Sequence, residues 1–388
     1  MTSGVILTLN AGSSSIKFSL YAAGDEPEEQ LRGEVEDIGD AQAYLIIEPD
    51  HGNKTRIAIG PADHAAALAA ILDHAGDALG GRPVAGIGHR VVHGGTDYAA
   101  PVRLDDATID YLTTLEPLAP LHQPHNLAAV RAARAAFPDA IQVACFDTAF
   151  HRAHPWVNDT FALPREWYDR GVRRYGFHGL SYEFISGELA RIAPDLRHGR
   201  VVIAHLGNGA SMCAVRDGRS VASTMGFTAL DGLPMGTRSG QLDPGVLLYM
   251  MDHEKMTSAE IANLLYKQSG LKGLSGISND MRELEASDRP EAAEAIEYFV
   301  FRIRRELGAL AAVLGGLDGL VFTGGIGEHS AHIRRKVCEG MEWLGIEIDD
   351  AGNAGNATDL GTAATRVMVI PTDEERVIAR AVNAALNG

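Results

Sequence analysis

The segment 5–21, VILTLNAGSSSIKFSLY, sets a polar tip of Asn10, Gly12, Ser13, Ser14, Ser15 and Lys17 between two apolar runs rich in β-favouring residues. This pattern predicts a hairpin whose tip is little more than backbone. Small residues let main-chain N–H groups approach an anion, hydroxyls donate to its oxygens, and Lys17 adds a point charge. On its own, such a tip is equally an ordinary Gly/Ser turn. The device returns at 201–224, however, as VVIAHL, then GNGAS, then MCAVRDGRSVAST. A chain that builds the same strand, small-residue tip and return strand twice is expected to fold as two lobes of related construction.

Length agrees with this: 388 residues exceed what one compact core usually holds, and two lobes imply a cleft. With 46% hydrophobic and 22% charged residues, the composition is that of a soluble globular protein. A formal charge of −17 opposes a broad nucleic-acid surface and an anionic membrane, so neither is an expected partner. An anionic substrate then has to be met by a local basic cluster. Three separated cysteines, Cys145, Cys213 and Cys338, suit reduced core thiols and a reducing cytoplasm. The N-terminus shows no leader pattern, and the Ala/Leu-rich stretches at 65–72 and 307–317 are too short or too interrupted by glycine to span a bilayer.

Strands are predicted at 5–10, 16–21, 32–38, 44–49 and 55–60, followed by a helix at 63–79 and a short strand opening into a loop at 86–95. Helices at 105–114 and 126–136 and a buried strand at 141–146, ending at Asp147, complete a first lobe over 1–149. The second lobe, 150–372, continues past its hairpin with helices at 258–268 and 291–314, the strand GLVFT, a third tip at 324–327, a helix at 330–343 and a strand at 366–370. A last helix at 373–386 carries a capping-box pattern in Thr372 and Glu375.

Three tips, NAGSSS, LGNGAS and TGGIGE, each follow an apolar strand and together point to a nucleotide cradle. Neither a Walker-type G-x-x-x-x-G-K-[ST] nor a complete G-x-G-x-x-G is present. The H-x-x-H pairs His122/His125, His151/His154 and His329/His332 lack the Cys pairs or H-E-x-x-H of a zinc site. A duplicated hairpin flanking a cleft resembles the superfamily of sugar kinases, actin and heat-shock chaperone ATPases. More specifically, NAGSSSIK, HRVVHGG, APLHQPHN, FDTAFH, RRYGFHG, HLGNGAS, MGTRSG, ISNDMRE, FTGGIGEHS and PTDEE follow one another as in the acetate kinase family. The resemblance covers nearly the whole chain, and related acyl kinases share most of these motifs.

This resemblance implies a duplicated α/β fold of two similar actin-like, ribonuclease H-like lobes, with the C-terminal helix 373–388 joining the first. It implies reversible, in-line transfer of the ATP γ-phosphoryl group to acetate, giving acetyl phosphate and ADP, in a cytoplasmic homodimer. Arg90 is similar to the residue that holds the acyl carboxylate, and Arg238, in the Gly-rich loop MGTRSG, to the one that neutralises the phosphoryl group in flight; both guanidiniums keep their charge and can grip bidentately. His178 matches a donor to the equatorial oxygens, and Val92, Leu121, Phe177 and the Ala229 site match the acyl pocket. For ATP the matching positions are Lys17, His205, Leu206, Gly207, Asn208, Gly209, Asp280, Met281, Arg282, Gly324, Gly325, Ile326, Gly327 and Glu328, with Gly12, Ser13 and Ser15 as a phosphate loop. Asn10 and Glu374 match the oxygen donors for Mg2+, with Mn2+ as a substitute, and Glu374 can act through water.

The family gives Asp147 a catalytic role as proton donor or acceptor. A carboxylic acid substrate ionises near the Asp and Glu side-chain range of about 4 to 4.5, which leaves a general base little to remove at neutral pH. Asp147 is therefore expected to orient an arginine or a metal-bound water. Two departures bear on the substrate: Leu180, Ser181 and Tyr182 stand where the family continues Thr-Ser-His, and Ala229 stands where it has proline. A slightly roomier acyl pocket follows, with propionate or butyrate as the alternative substrate. A filament-forming or chaperone-like ATPase is the alternative of another class, and the Arg90, Asp147, His178, Arg238 set argues against it.

Overall fold

The computed structural model describes residues 4–12, 14–24, 26–48, 54–79, 81–120 and 122–388. Contacts divide the chain into two compact units, Met1–Arg152 with Asp373–Gly388, and Ala153–Thr372.

The first unit holds one sheet of β1 (Val5–Ala11), β2 (Ile16–Ala22), β3 (Glu28–Glu36), β4 (Ala43–Glu48), β5 (Thr55–Gly60), β6 (Val84–Val91), β7 (Val102–Arg103) and β8 (Ile141–Phe146). Its order is β5-β4-β3-β2-β1-β6-β8-β7. β1 runs antiparallel to β2 and parallel to β6, which is parallel to β8. Because β1 is central and covered on both faces, it reads as an almost uninterrupted apolar run rather than an alternation. Leu7 and Leu9 enter a core with Phe18, Leu45, Leu68 and Ile71, closed by Ala129 and Ala133 of the helix Gln123–Ala136.

The second unit repeats the plan with β9 (Arg200–Leu206), β10 (Ala210–Arg216), β11 (Arg219–Ser223), β12 (Gly319–Thr323) and β13 (Arg366–Val369), in the order β11-β10-β9-β12-β13. Three antiparallel strands are followed by two parallel ones, the pattern of β3-β2-β1-β6-β8 in the first unit. Both predicted hairpins are present, with Ala11 paired to Ile16 and Leu206 to Ala210 at their closed ends. The two units are therefore copies of one ribonuclease H-like lobe, the duplicated construction of the actin-like ATPases.

The C-terminal helix Glu374–Asn387 belongs to the first unit, where it lies on β6, β1 and β8. Gly86 and Gly88 of β6 make this possible, since a Cβ on them would come within 2.5 Å of Val382 and 2.2 Å of Ile378. Ile378 and Val382 are fully buried, and each such side chain contributes about 1.5–3 kcal/mol. The expected capping box at this helix is not formed. Asp373 is the N-cap, its side chain accepting from the Arg376 N–H, while the Thr372 hydroxyl turns away to Ser181. An aspartate one residue on takes the Arg376 amide, where the box would have taken that of Glu375, and shifts the start by one position. The third tip, expected as a small-residue tip between a strand and a helix at 330–343, is itself a short helix, Gly324–His329, followed by the helix Ala331–Cys338.

His89 on β6 is buried, and its Nε2 lies 2.7 Å from Gln142 Oε1. Burial pushes this imidazole down to about 4, against the bond to Gln142. A depressed folded value means the unfolded chain takes up the proton first, so the stability is whole above pH 6.5 and falls away as pH drops through 4. At pH 5 the loss from this one group is about 2 kcal/mol. His89→Gln, which keeps a partner for Gln142 and cannot ionise, should reduce the fall in urea midpoint between pH 7 and pH 5. An unchanged fall would show that His89 does not titrate in this way.

Candidate active site

In the first unit the ends of three strands and the start of the last helix bring four expected site residues together. Arg90, near the end of β6, donates Nε to Asp147 Oδ1 at 3.0 Å and Nη2 to Asp147 Oδ2 at 2.7 Å, while Nη1 donates to Asn10 Oδ1 at 3.1 Å. Glu374 Oε2 stands 3.9 Å from Arg90 Nε. Burial opposes the Arg90 charge, and the carboxylates of Asp147 and Glu374 overcome it, so the guanidinium stays firmly protonated. Glu374 is pushed up to about 7, first by burial and then, against the pull of Arg90, by Asp147 and Glu375. Of the five N–H donors of an arginine, these bonds use three, leaving two for an incoming oxygen.

Asp147 is 1% exposed and closes β8, fixed by its own N–H to the Val91 carbonyl. Val92 is buried, Lys17 is exposed on β2 directly across from Asn10, and the Gly12 N–H closes its turn on the Ser15 carbonyl at 2.8 Å. Ser13 and Leu121 lie outside the described residues. Two residues not expected from the sequence hold this region. Asn126 accepts from the Val92 N–H at 3.0 Å and donates to the Ala11 carbonyl at 2.6 Å, and Gln123 accepts from the His93 N–H and donates to the His93 carbonyl. Their signal was available: two polar residues three apart on the buried face of an amphipathic helix.

In the second unit His178 sits before the helix Gly179–Ile192 with φ of 58°, a left-handed conformation that a non-glycine residue adopts at a cost. Its Nδ1 lies 2.8 Å from Ser211 Oγ, which also bonds the Tyr182 hydroxyl. The His205 ring stacks on it with centroids 4.3 Å apart, and His205 Nδ1 lies 2.8 Å from Ser181 Oγ. Phe177 is buried beside them in sequence. Arg238 donates Nη1 to the Ala229 carbonyl at 3.0 Å, so the position where the family has proline carries the arginine's anchor.

A cavity of about 420 Å³ in this unit is lined by Gly207 and Asn208 of the second tip, Asp280, Met281 and Arg282, and Gly325 and Ile326 of the third. Three sequence-distant segments expected to bind ATP thus share one wall. Asn279, Glu285, His329 and Ser330 complete it and were not foreseen. Glu328 serves the backbone, its Oε1 accepting from the Gly324 and Thr372 N–H groups at 2.8 and 3.1 Å. Leu206 is buried at the end of β9, and Asp280 caps the helix Met281–Glu285 while pairing with Arg282.

Two copies of an actin-like lobe, glycine tips around a nucleotide-sized cavity, and arginines held in place by carboxylate or carbonyl define a phosphoryl-transferring enzyme of the actin-like ATPase superfamily. The chain belongs to the Acetokinase family, which it matches over residues 5–380. It is 57% identical over 402 aligned residues to the acetate kinase of Methylocella silvestris, with 98% of each chain covered, and 51% identical over 390 to that of Rhodopseudomonas palustris, again with 98% of each covered. Among solved structures it is similar to a propionate kinase from Francisella tularensis, at 36% identity and a TM-score of 0.92 over 97% of this chain and 98% of that one. The Porphyromonas gingivalis acetate kinase gives 37% identity and a TM-score of 0.89 over 99% and 100%. Among the described residues no helix is long and apolar enough to cross a membrane.

Proposed function

We propose that this chain transfers the γ-phosphoryl group of ATP to acetate, reversibly and without a covalent enzyme intermediate. The observation that carries this is Arg90: a guanidinium held by Asp147 at Nε and Nη2 and by Asn10 at Nη1, with two N–H groups left for a carboxylate. The substrate carboxylate oxygen attacks the γ-phosphorus, the new O–P bond forms as the bond to the β,γ-bridging oxygen breaks, and ADP leaves with that electron pair. Val92 and Phe177, both buried, are the apolar residues assigned to the methyl group. Arg238 and His178 meet the charge that builds on the equatorial oxygens. Asp147 orients Arg90 and moves no proton.

The oxygens of Asn10 and Glu374 suit a hard cation, and a bound cation would favour the ionised form of Glu374, which burial and then Asp147 and Glu375 disfavour. No group of three or more His, Cys, Asp or Glu is arranged to hold a metal among the described residues. When bound, Mg2+ spreads the charge of the phosphates. Lys17, Gly12, Ser15 and the second tip at Gly207 and Asn208 bind phosphate oxygens, while Asp280, Met281, Arg282, Gly325 and Ile326 hold the nucleoside. A cytosolic homodimer completes the proposal; the three buried cysteines, of which burial pushes Cys213 and Cys338 up to about 12, suit a reducing compartment.

Propionate is the second substrate, because Ala229 presents less bulk than proline. One methylene in an apolar pocket is worth about 1–3 kcal/mol. Hydroxylamine trapping of the acyl phosphate, run with acetate, propionate and butyrate in both directions, should give kcat/KM for acetate and propionate within about a hundredfold of each other. ATP hydrolysis indifferent to all three acids would overturn the assignment and favour a conformational ATPase.

A further inference from the structure

We infer that Tyr182 and Ser211 form a hydroxyl relay that fixes His178 as the Nε2-protonated tautomer, making Tyr182 a positioning residue for phosphoryl transfer. The three groups are in line: the Tyr182 hydroxyl bonds Ser211 Oγ, and Ser211 Oγ lies 2.8 Å from His178 Nδ1. Tyr182 and Ser211 are both fully buried, so water does not compete for these bonds. Direction follows from acidity. A phenol is a far stronger acid than an aliphatic hydroxyl, and hence the better donor and poorer acceptor of the two. Tyr182 therefore donates to Ser211, and a serine oxygen that already accepts one hydrogen bond is polarised to give its own proton to Nδ1. An imidazole that accepts at Nδ1 carries its hydrogen at Nε2.

The surroundings favour the same state. The Nε2 edge of His178 faces Gly209 of the second tip, where an added Cβ would lie 3.1 Å from it, so only glycine leaves that edge open. His205, stacked 4.3 Å away, has its own serine partner in Ser181, and two imidazolium rings at that spacing would repel. Tyr182 stands at one of the positions where this chain departs from the Thr-Ser-His of the resemblance. As a donor to phosphoryl oxygens, His178 rests on the function proposed above; as a statement about the tautomer, the relay does not.

Long-range proton–nitrogen spectra of the 15N-histidine-labelled full chain, with the His178 signals identified by their loss in His178→Asn, read the tautomer directly. Wild type should show the hydrogen on Nε2. Tyr182→Phe should mix the two tautomers and lower kcat about fivefold, the worth of one ordinary hydrogen bond, with KM for ATP and acetate within about twofold. Ser211→Ala should shift the tautomer further, and Ser211→Thr should restore both readouts. A hydrogen on Nδ1 in wild type would overturn the relay, as would a kcat loss in Tyr182→Phe with an unchanged tautomer. If the tautomer responds as stated while His178→Asn keeps full kcat, the relay stands and the phosphoryl-donor role of His178 falls.

Discussion

Arg238→Ala should lower kcat by about 10³ or more while changing KM for ATP and acetate by no more than a few fold. The size of the effect follows from when the contact matters. Charge on the three equatorial oxygens is greatest in the transition state, so a fixed cation stabilises that state more than bound substrate. The Arg238 loop is built for fixity. Met235 N–H donates to the Arg238 carbonyl at 3.0 Å, Ser269 N–H to the Thr237 carbonyl at 3.0 Å, and Ser239 N–H to the Leu265 carbonyl at 3.1 Å. Gly270, at φ of 63°, fits beneath; any Cβ there would stand 2.1 Å from the Met235 carbonyl oxygen and 2.7 Å from that of Arg238. The Ala229 carbonyl then takes one Nη1–H and sets the plane of the guanidinium. Arg238→Lys keeps the charge without the fork and should recover only part of the rate. Steady-state and single-turnover kinetics check both variants. A loss of less than tenfold in Arg238→Ala would remove this residue from the transition state.

What the chain disclosed before its fold was known were features written in consecutive residues. Apolar runs on either side of NAGSSS and LGNGAS are both halves of a hairpin, so β1, β2, β9 and β10 could be placed from local pattern alone. The third tip was not legible as a helix because Gly-Gly-Ile-Gly is an unlikely one by propensity; the Glu328 carboxylate on the Gly324 N–H satisfies its first amide. The missing pieces are long-range. Asn126 reaches back 115 residues to Ala11, and Thr372 reaches 191 residues to Ser181. Tyr182 was legible only as a departure from a pattern; its meaning needed Ser211, 29 residues on, which the hairpin return carries beneath His178. The resemblance supplied candidates for the site, and the pairing of Asp147 with Arg90, 57 residues apart, became visible only in the fold.

Arg334→Met should destabilise the second unit by about 3–5 kcal/mol, lowering its Tm by about 10 °C. Arg334 is wholly buried in the helix Ala331–Cys338, and each of its five donors is used. Nε donates to Asn353 Oδ1 at 2.8 Å, Nη1 to the carbonyls of Gly327 and Glu328 at 2.9 Å each, and Nη2 to the Asn353 carbonyl at 2.8 Å and Asn356 Oδ1 at 2.5 Å. Burial pulls its pKa down, and five neutral oxygens in place of a carboxylate keep the charge tolerable. Two of those oxygens end the Gly324–His329 helix, where the backbone dipole favours a cation. Methionine fills a similar volume yet leaves buried carbonyls without donors, and each costs about 1–3 kcal/mol. Because the same helix presents Gly325 and Ile326 to the cavity, loss of its anchor should raise KM for ATP several fold and leave KM for acetate nearly unchanged. Arg334→Lys, with one compact ammonium unable to span Gly327 and Asn356 together, should fall between wild type and Arg334→Met in both measures. Calorimetry with and without ADP separates the two effects. A Tm within 2 °C of wild type would mean that the third tip is held by packing alone.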